Sequence, residues 1–127
     1  MDVLIVDCDE LIAEVVADAL ADYNFTVAVV PDEHSALAIP ATGAPGVVIT
    51  GINRNREDMK GLAVARTLRA RWPAVGVIFT AALWPARLCR KALSARDRFL
   101  TKPVRMADMA RTVCELLAAN PTRHQPG

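Results

Sequence analysis

The chain has 127 residues, 53% apolar and 23% charged, with a formal net charge of +1. That length fits one domain whose core needs no disulfide or structural metal, and the composition excludes a disordered chain. Cys8, Cys89 and Cys114 are widely spaced with no CxxC pair, and no leader-like or membrane-length apolar run occurs. The expected setting is therefore a reducing cytoplasm, with no zinc site, disulfide framework or membrane.

Charge is distributed unevenly. Nine of the 14 acidic residues precede Arg54, and all 15 basic residues lie from Arg54 onward. Such a dipole reads either as two solvated faces or as opposite faces that dock different partners.

In chain order, Val3-Leu4-Ile5-Val6 is a short β-branched run suited to a strand buried on both faces. Asp9-Glu10 opens a helix with acids in its first turn. Leu11, Ile12, Val15, Val16, Ala19 and Leu20 are expected to point inward, with Glu14, Asp18 and Asp22 toward solvent and Asn24 at the stop. Residues 26–30 form a second strand, and Pro31-Asp32 starts a short helix reaching about residue 39. After a Gly- and Pro-rich loop over 40–46, residues 47–52 give a third strand, followed by a polar connection over 53–60. A third helix is expected over 61–71 with Leu62, Ala65 and Leu68 inward, ended by Trp72-Pro73. A fourth strand over 75–80 precedes a helix over 85–95 that begins at Pro85, with Trp84 packing over it. A fifth strand at 99–101 ends in Lys102-Pro103. A last helix over 106–119 turns Met109, Val113, Leu116 and Leu117 inward. The domain is thus expected over 1–120, with 121–127 a tail lacking evident structure.

Strict alternation of apolar strands and helices gives an α/β fold, a parallel sheet covered on both sides. Ligands of such folds gather beyond the carboxyl ends of the strands. Asp7, Cys8, Gly51, Asn53, Thr80 and Lys102 all fall at those ends. Cys8 is expected to be a small buried filler, its thiolate disfavoured by the flanking acids. His34 and His124 do not point to catalysis.

Four stretches carry a resemblance: Leu4-Ile5-Val6-Asp7-Cys8-Asp9-Glu10, Pro45-Gly46-Val47-Val48-Ile49-Thr50, Val77-Ile78-Phe79-Thr80-Ala81 and Phe99-Leu100-Thr101-Lys102-Pro103. Together they resemble the CheY-like receiver domain of two-component response regulators, over essentially residues 2–119. The resemblance implies a flavodoxin-like (βα)5 three-layer sandwich with strand order 2-1-3-4-5. It also implies a site in which an acidic pair holds Mg²⁺ and an Asp after the third strand takes a phosphoryl group from a kinase histidine. By position, Asp7 matches the first acid, Thr80 the hydroxyl that binds phosphate, Lys102 the neutralising lysine and Phe99 the switch aromatic.

Two positions depart from that pattern. Cys8 stands where the second acid belongs, with Asp9 displaced onto the helix start. Counting from Pro45 puts Gly51 at the acceptor position, whereas counting back from Met59 and Gly61 puts Asn53 there. Neither is an Asp, and an acyl phosphate needs a carboxylate nucleophile. No catalytic residue is therefore assigned, and no cofactor is expected beyond weak Mg²⁺ at Asp7, since Cys8 is a soft ligand. Glu57 or Asp58 is the alternative carboxylate. Lys102 is expected to pair with Asp7 or a loop acid, or else to lean into solvent.

The expected function is an atypical, stand-alone receiver that signals by protein contact and is not an enzyme. Its partner would be a histidine kinase, a phosphotransfer protein or another signalling protein. Arg87, Arg90, Lys91, Arg98 and Arg105 would form a partner or homodimer face on the fourth helix, fifth strand and last helix. No nucleic-acid motif accompanies these charges. One alternative is a DxD phosphatase with Asp7 as nucleophile and Asp9 as acid/base. It lacks the residues expected after Asp9, paired acids after Lys102, and room for a cap. Another is a ligand-controlled or scaffolding pseudo-receiver.

Overall fold

The computed structural model describes residues 1–51, 58–81 and 95–120, with backbone alone for 58–61. The expected helix over 85–95, Trp84, Asn53, Glu57, Arg87, Arg90, Lys91 and the 121–127 segment lie outside the described residues. Five strands, β1 (Val3–Val6), β2 (Val27–Val30), β3 (Val47–Gly51), β4 (Gly76–Ala81) and β5 (Asp97–Thr101), pair in parallel in the order β2-β1-β3-β4-β5. Four described α-helices accompany them: α1 (Glu10–Ala21), α2 (Glu33–Leu37), α3 (Asp58–Arg71) and α4 (Met106–Ala119). A short 3-10 turn, Ala41–Gly43, interrupts the loop expected over 40–46.

Side chains alternate across a strand, so each strand feeds two cores. Leu4, Val6, Val48, Val77 and Phe79 pack on Leu62, Ala65, Leu68 and Trp72 on the α3 side. Val3, Ile5, Val47, Ile49 and Ile78 pack on Ala13, Leu20, Met109, Val113 and Leu116 of α1 and α4. The apolar runs of β1 and of Val77-Ile78-Phe79 in β4 follow from burial on both faces.

Three elements differ from the sequence expectation. β5 begins two residues early, at Asp97, which pairs with Val77 of β4 and whose carboxylate meets Arg69 of α3. α3 starts at Asp58, inside the stretch read as a polar connection. The largest difference is the phase of α1. Its inward residues are Ala13, Val16, Ala17 and Leu20, while Leu11 is 73% and Val15 61% exposed. At ~100° per residue, Leu11 and Val15 share one arc with Glu14, Asp18 and Asp22. The small Ala13 and Ala17 let the helix lie close on the sheet and turn the larger residues outward. Asn24 takes a left-handed φ of 70° just beyond α1, which suits a residue of its type at a helix stop.

One close approach sets the packing of α4. A Cβ on Gly76 would lie 3.1 Å from both Cβ and Cδ1 of Leu116. Gly76→Val is therefore expected to overpack this contact and lower stability by about 1–3 kcal/mol. The urea unfolding midpoint reads this directly, and an unchanged midpoint would mean that α4 shifts freely.

Candidate functional site

The first strand ends in Val6, whose register partner is Thr50, and Gly51 pairs with Thr80 on β4. Asp7 thus stands one step beyond β1, level with Gly51 one step beyond Thr50. Lys102 follows β5 directly, and its backbone N–H donates to the Ala81 carbonyl at 2.9 Å. By strand parity, Asp7, Gly51, Thr80 and Lys102 share the α1–α4 face with Ile5, Ile49 and Ile78. The fold therefore brings together four residues widely separated in sequence.

Asp7 is half-buried, and its Oδ1 accepts the Asp9 N–H at 2.9 Å. Asp9 in turn caps α1 by accepting the Ile12 N–H at 3.2 Å. One oxygen of the Asp9 carboxylate thus serves the helix end. Cys8 is exposed, not the buried filler expected from sequence. It follows the last buried residue of β1, in the bend that leads into α1, where no core surrounds it.

Thr80 is buried at 9% exposure, and a Cβ on Gly51 would lie 3.8 Å from its Oγ1. Lys102 is exposed and makes no ion pair among the described residues, and the loop acids Glu57 and Asp58 lie outside the described side chains. Phe99 is half-buried with its ring stacked on Phe79, centroids 5.1 Å apart.

A groove of about 710 Å³ crosses this edge, with Asp7, Asp9, Asp32, His34, Gly51 and Lys102 among its lining. Asp32 caps α2 by accepting the Ser35 N–H at 2.7 Å. That backbone bond, then the Ser35 hydroxyl, holds its carboxyl below the usual value. Among the described residues, no group of three His, Cys, Asp or Glu side chains is placed to hold a metal ion.

Of the basic residues expected on a partner face, Arg98 and Arg105 are described. Arg98 turns onto its own strand entry, donating to the carbonyls of Ala95 and Asp97 at 3.0 and 2.9 Å. Arg105 is exposed at the start of α4. Sequence reasoning missed the outward apolar residues Leu11, Ile12 and Val15 of α1, although the positions of the acids around the helix contained the signal.

A parallel sheet in this order, with these side chains at its carboxyl edge, defines a CheY-like architecture. The model of the response regulator receiver domain matches residues 3–114, and the chain belongs to that family. Similar solved structures include a CheY-like receiver domain protein from Methanospirillum hungatei, with a TM-score of 0.80, 19% identity, and coverage of 97% of this chain and 98% of that one. The receiver domain of a histidine kinase from Syntrophus aciditrophicus is similar at a TM-score of 0.76 and 23% identity, over 99% and 96% of the two chains. The NtrX receiver domain from Brucella abortus is 28% identical over 90% of this chain and 95% of that one, at a TM-score of 0.72. No curated protein is significantly similar in sequence. Among the described residues, no helix is long and apolar enough to cross a membrane.

Proposed function

We propose that this receiver domain works in two-component signalling by protein contact, without accepting a phosphoryl group in the usual way and without enzymatic activity. The observation that carries the reading is the pairing of Gly51 with Thr80 at the end of β3. A side chain there would face the Thr80 hydroxyl and the strand end that leads to Lys102, and glycine supplies none. Without a carboxylate nucleophile, phosphoryl transfer to that position has no covalent destination.

The donor set also fits Mg²⁺ poorly. One oxygen of Asp7 is held by a backbone N–H, Cys8 offers only a soft sulfur atom, and Gly51 offers no carboxylate. The phosphatase alternative is disfavoured on similar grounds, because its acid/base would be Asp9, which caps α1. Intact mass measured after incubation with acetyl phosphate and Mg²⁺ is expected to show no phosphoryl adduct.

Contact with a histidine kinase, phosphotransfer protein or other signalling protein is assigned to α1. Leu11, Ile12 and Val15 are exposed among Glu10, Glu14, Asp18 and Asp22, and the helix carries no basic residue. A surface of that kind suits a partner helix bearing apolar and basic side chains. Leu11→Glu combined with Val15→Glu should change stability by no more than about 0.5 kcal/mol, since both residues are on the surface. The same pair should weaken binding to the purified cognate kinase or phosphotransfer protein by at least about tenfold, read by calorimetry. Unchanged affinity would move the contact off α1.

A further inference from the structure

A second recess, about 490 Å³, lies between α1, α4 and the sheet, and meets the groove at Asp7, Ile12 and Lys102. Its volume is within the range of small-molecule sites. Ile5, Val16, Ile49, Met106 and Met109 form its walls, drawn from four separate elements. Three polar side chains stand among them, the Asp7 carboxylate, the Thr80 hydroxyl and the Lys102 ammonium. An apolar chamber with a few convergent polar groups is the usual form of a small-ligand site.

The charges narrow the ligand class. Asp7 has one oxygen held by the Asp9 N–H, and its other oxygen has no partner among the described residues. Lys102 has no ion pair among them either. An apolar carboxylic acid would satisfy Lys102 and set its charge against Asp7. An apolar amine would satisfy Asp7 and oppose Lys102. A molecule carrying both head groups on one carbon meets both residues, and the Thr80 hydroxyl adds a donor for its carboxylate.

We propose that this recess binds a small zwitterion with an apolar body, of the class of the apolar α-amino acids. The ammonium sits on Asp7, the carboxylate on Lys102 and Thr80, and the side chain against Ile5, Val16, Ile49 and the two methionines. Gly51 lines the adjoining groove and not this recess, and a Cβ added there would stand in ordinary contact with the Thr80 Oγ1 at 3.8 Å. The inference rests on the reading that no phosphoryl group is formed there, and it makes occupancy by a metabolite the input to the contact function.

Titration of the intact chain with L-leucine and L-phenylalanine, followed by amide NMR shifts, tests the proposal. Saturable binding is expected, with shifts at Asp7, Thr80, Lys102 and Met106. 4-Methylpentanoate, which lacks the ammonium, and isopentylamine, which lacks the carboxylate, should each bind at least about tenfold more weakly. Asp7→Asn and Lys102→Met should cost the amino acids a similar factor, and Val16→Trp should fill the recess and abolish binding. Circular dichroism confirms that each variant is folded, and comparison of the four ligands on the wild type needs no variant. No saturable shift with either amino acid, or equal affinity for 4-methylpentanoate and L-leucine, would overturn the zwitterion site. A phosphoryl adduct on the wild type would instead overturn the reading beneath it, so the two failures are separable by intact mass.

Discussion

Gly51→Asp is expected to yield a folded chain that takes a single phosphoryl group from acetyl phosphate in the presence of Mg²⁺. The strand end accommodates the change. Gly51 is not in the left-handed region, and the nearest atom to an added Cβ is the Thr80 hydroxyl at an ordinary van der Waals distance of 3.8 Å. A carboxylate built there attacks phosphorus, the bond to the acetate oxygen breaks, and acetate leaves. Thr80 and Lys102 stand at the neighbouring strand ends to meet the phosphoryl oxygens. The new carboxylate lies level with Asp7, so without the metal the substitution should cost about 1 kcal/mol of stability, an ordinary point-mutant loss. Mg²⁺ should recover part of it. Cys8→Asp added to Gly51→Asp supplies a second hard ligand and should quicken the reaction at low Mg²⁺. A folded double variant that stays unmodified would mean that more than the acceptor and the second acid has been lost.

Arg69→Ala should lower stability by about 3 kcal/mol, a large loss for a side chain that is itself 29% exposed. Its partner decides the size. The Asp97 side chain is fully buried at the start of β5, and Arg69 reaches it from α3. Removing the guanidinium leaves a carboxylate in a low-dielectric site, and the cost is mainly that of the stranded charge. Asp97 keeps further interactions, which holds the expectation to the lower end of the usual range. Combining Arg69→Ala with Asp97→Leu should restore most of the lost stability, since neither charge then remains buried. Arg69→Lys should fall between, keeping the charge and losing the forked geometry. Urea unfolding of these variants reads each effect. A loss below about 1 kcal/mol for Arg69→Ala would show that Asp97 is held by its other contacts.

The sheet was legible because its strands are short apolar runs separated by turn-forming residues. The site was legible because residues at strand ends converge by topology alone. Less accessible was anything set by distant partners. The charged pair Asp97-Arg98 reads as loop until Arg69, far away in sequence, is brought beside it. Cys8 was misjudged because a small thiol after a buried strand looks like core, whereas the chain has already left the sheet. The phase of α1 was readable but misread. Counting apolar residues favoured Leu11 and Val15 as inward, while the angular positions of Glu14, Asp18 and Asp22 put them on the outer arc. The sequence left Gly51 and Asn53 as alternatives for the acceptor position; the register with β4 puts Gly51 beside Thr80, and Asn53 lies outside the described residues.

The central claim is that the β3 end of this receiver holds no phosphoacceptor. Its most direct test is intact-mass analysis of the wild type and the Cys8→Asp, Gly51→Asp double variant, incubated side by side with acetyl phosphate and Mg²⁺. The expected result is one phosphoryl adduct on the double variant and none on the wild type. A stable single adduct on the wild type would contradict the claim and show that another carboxylate takes the role of the missing Asp.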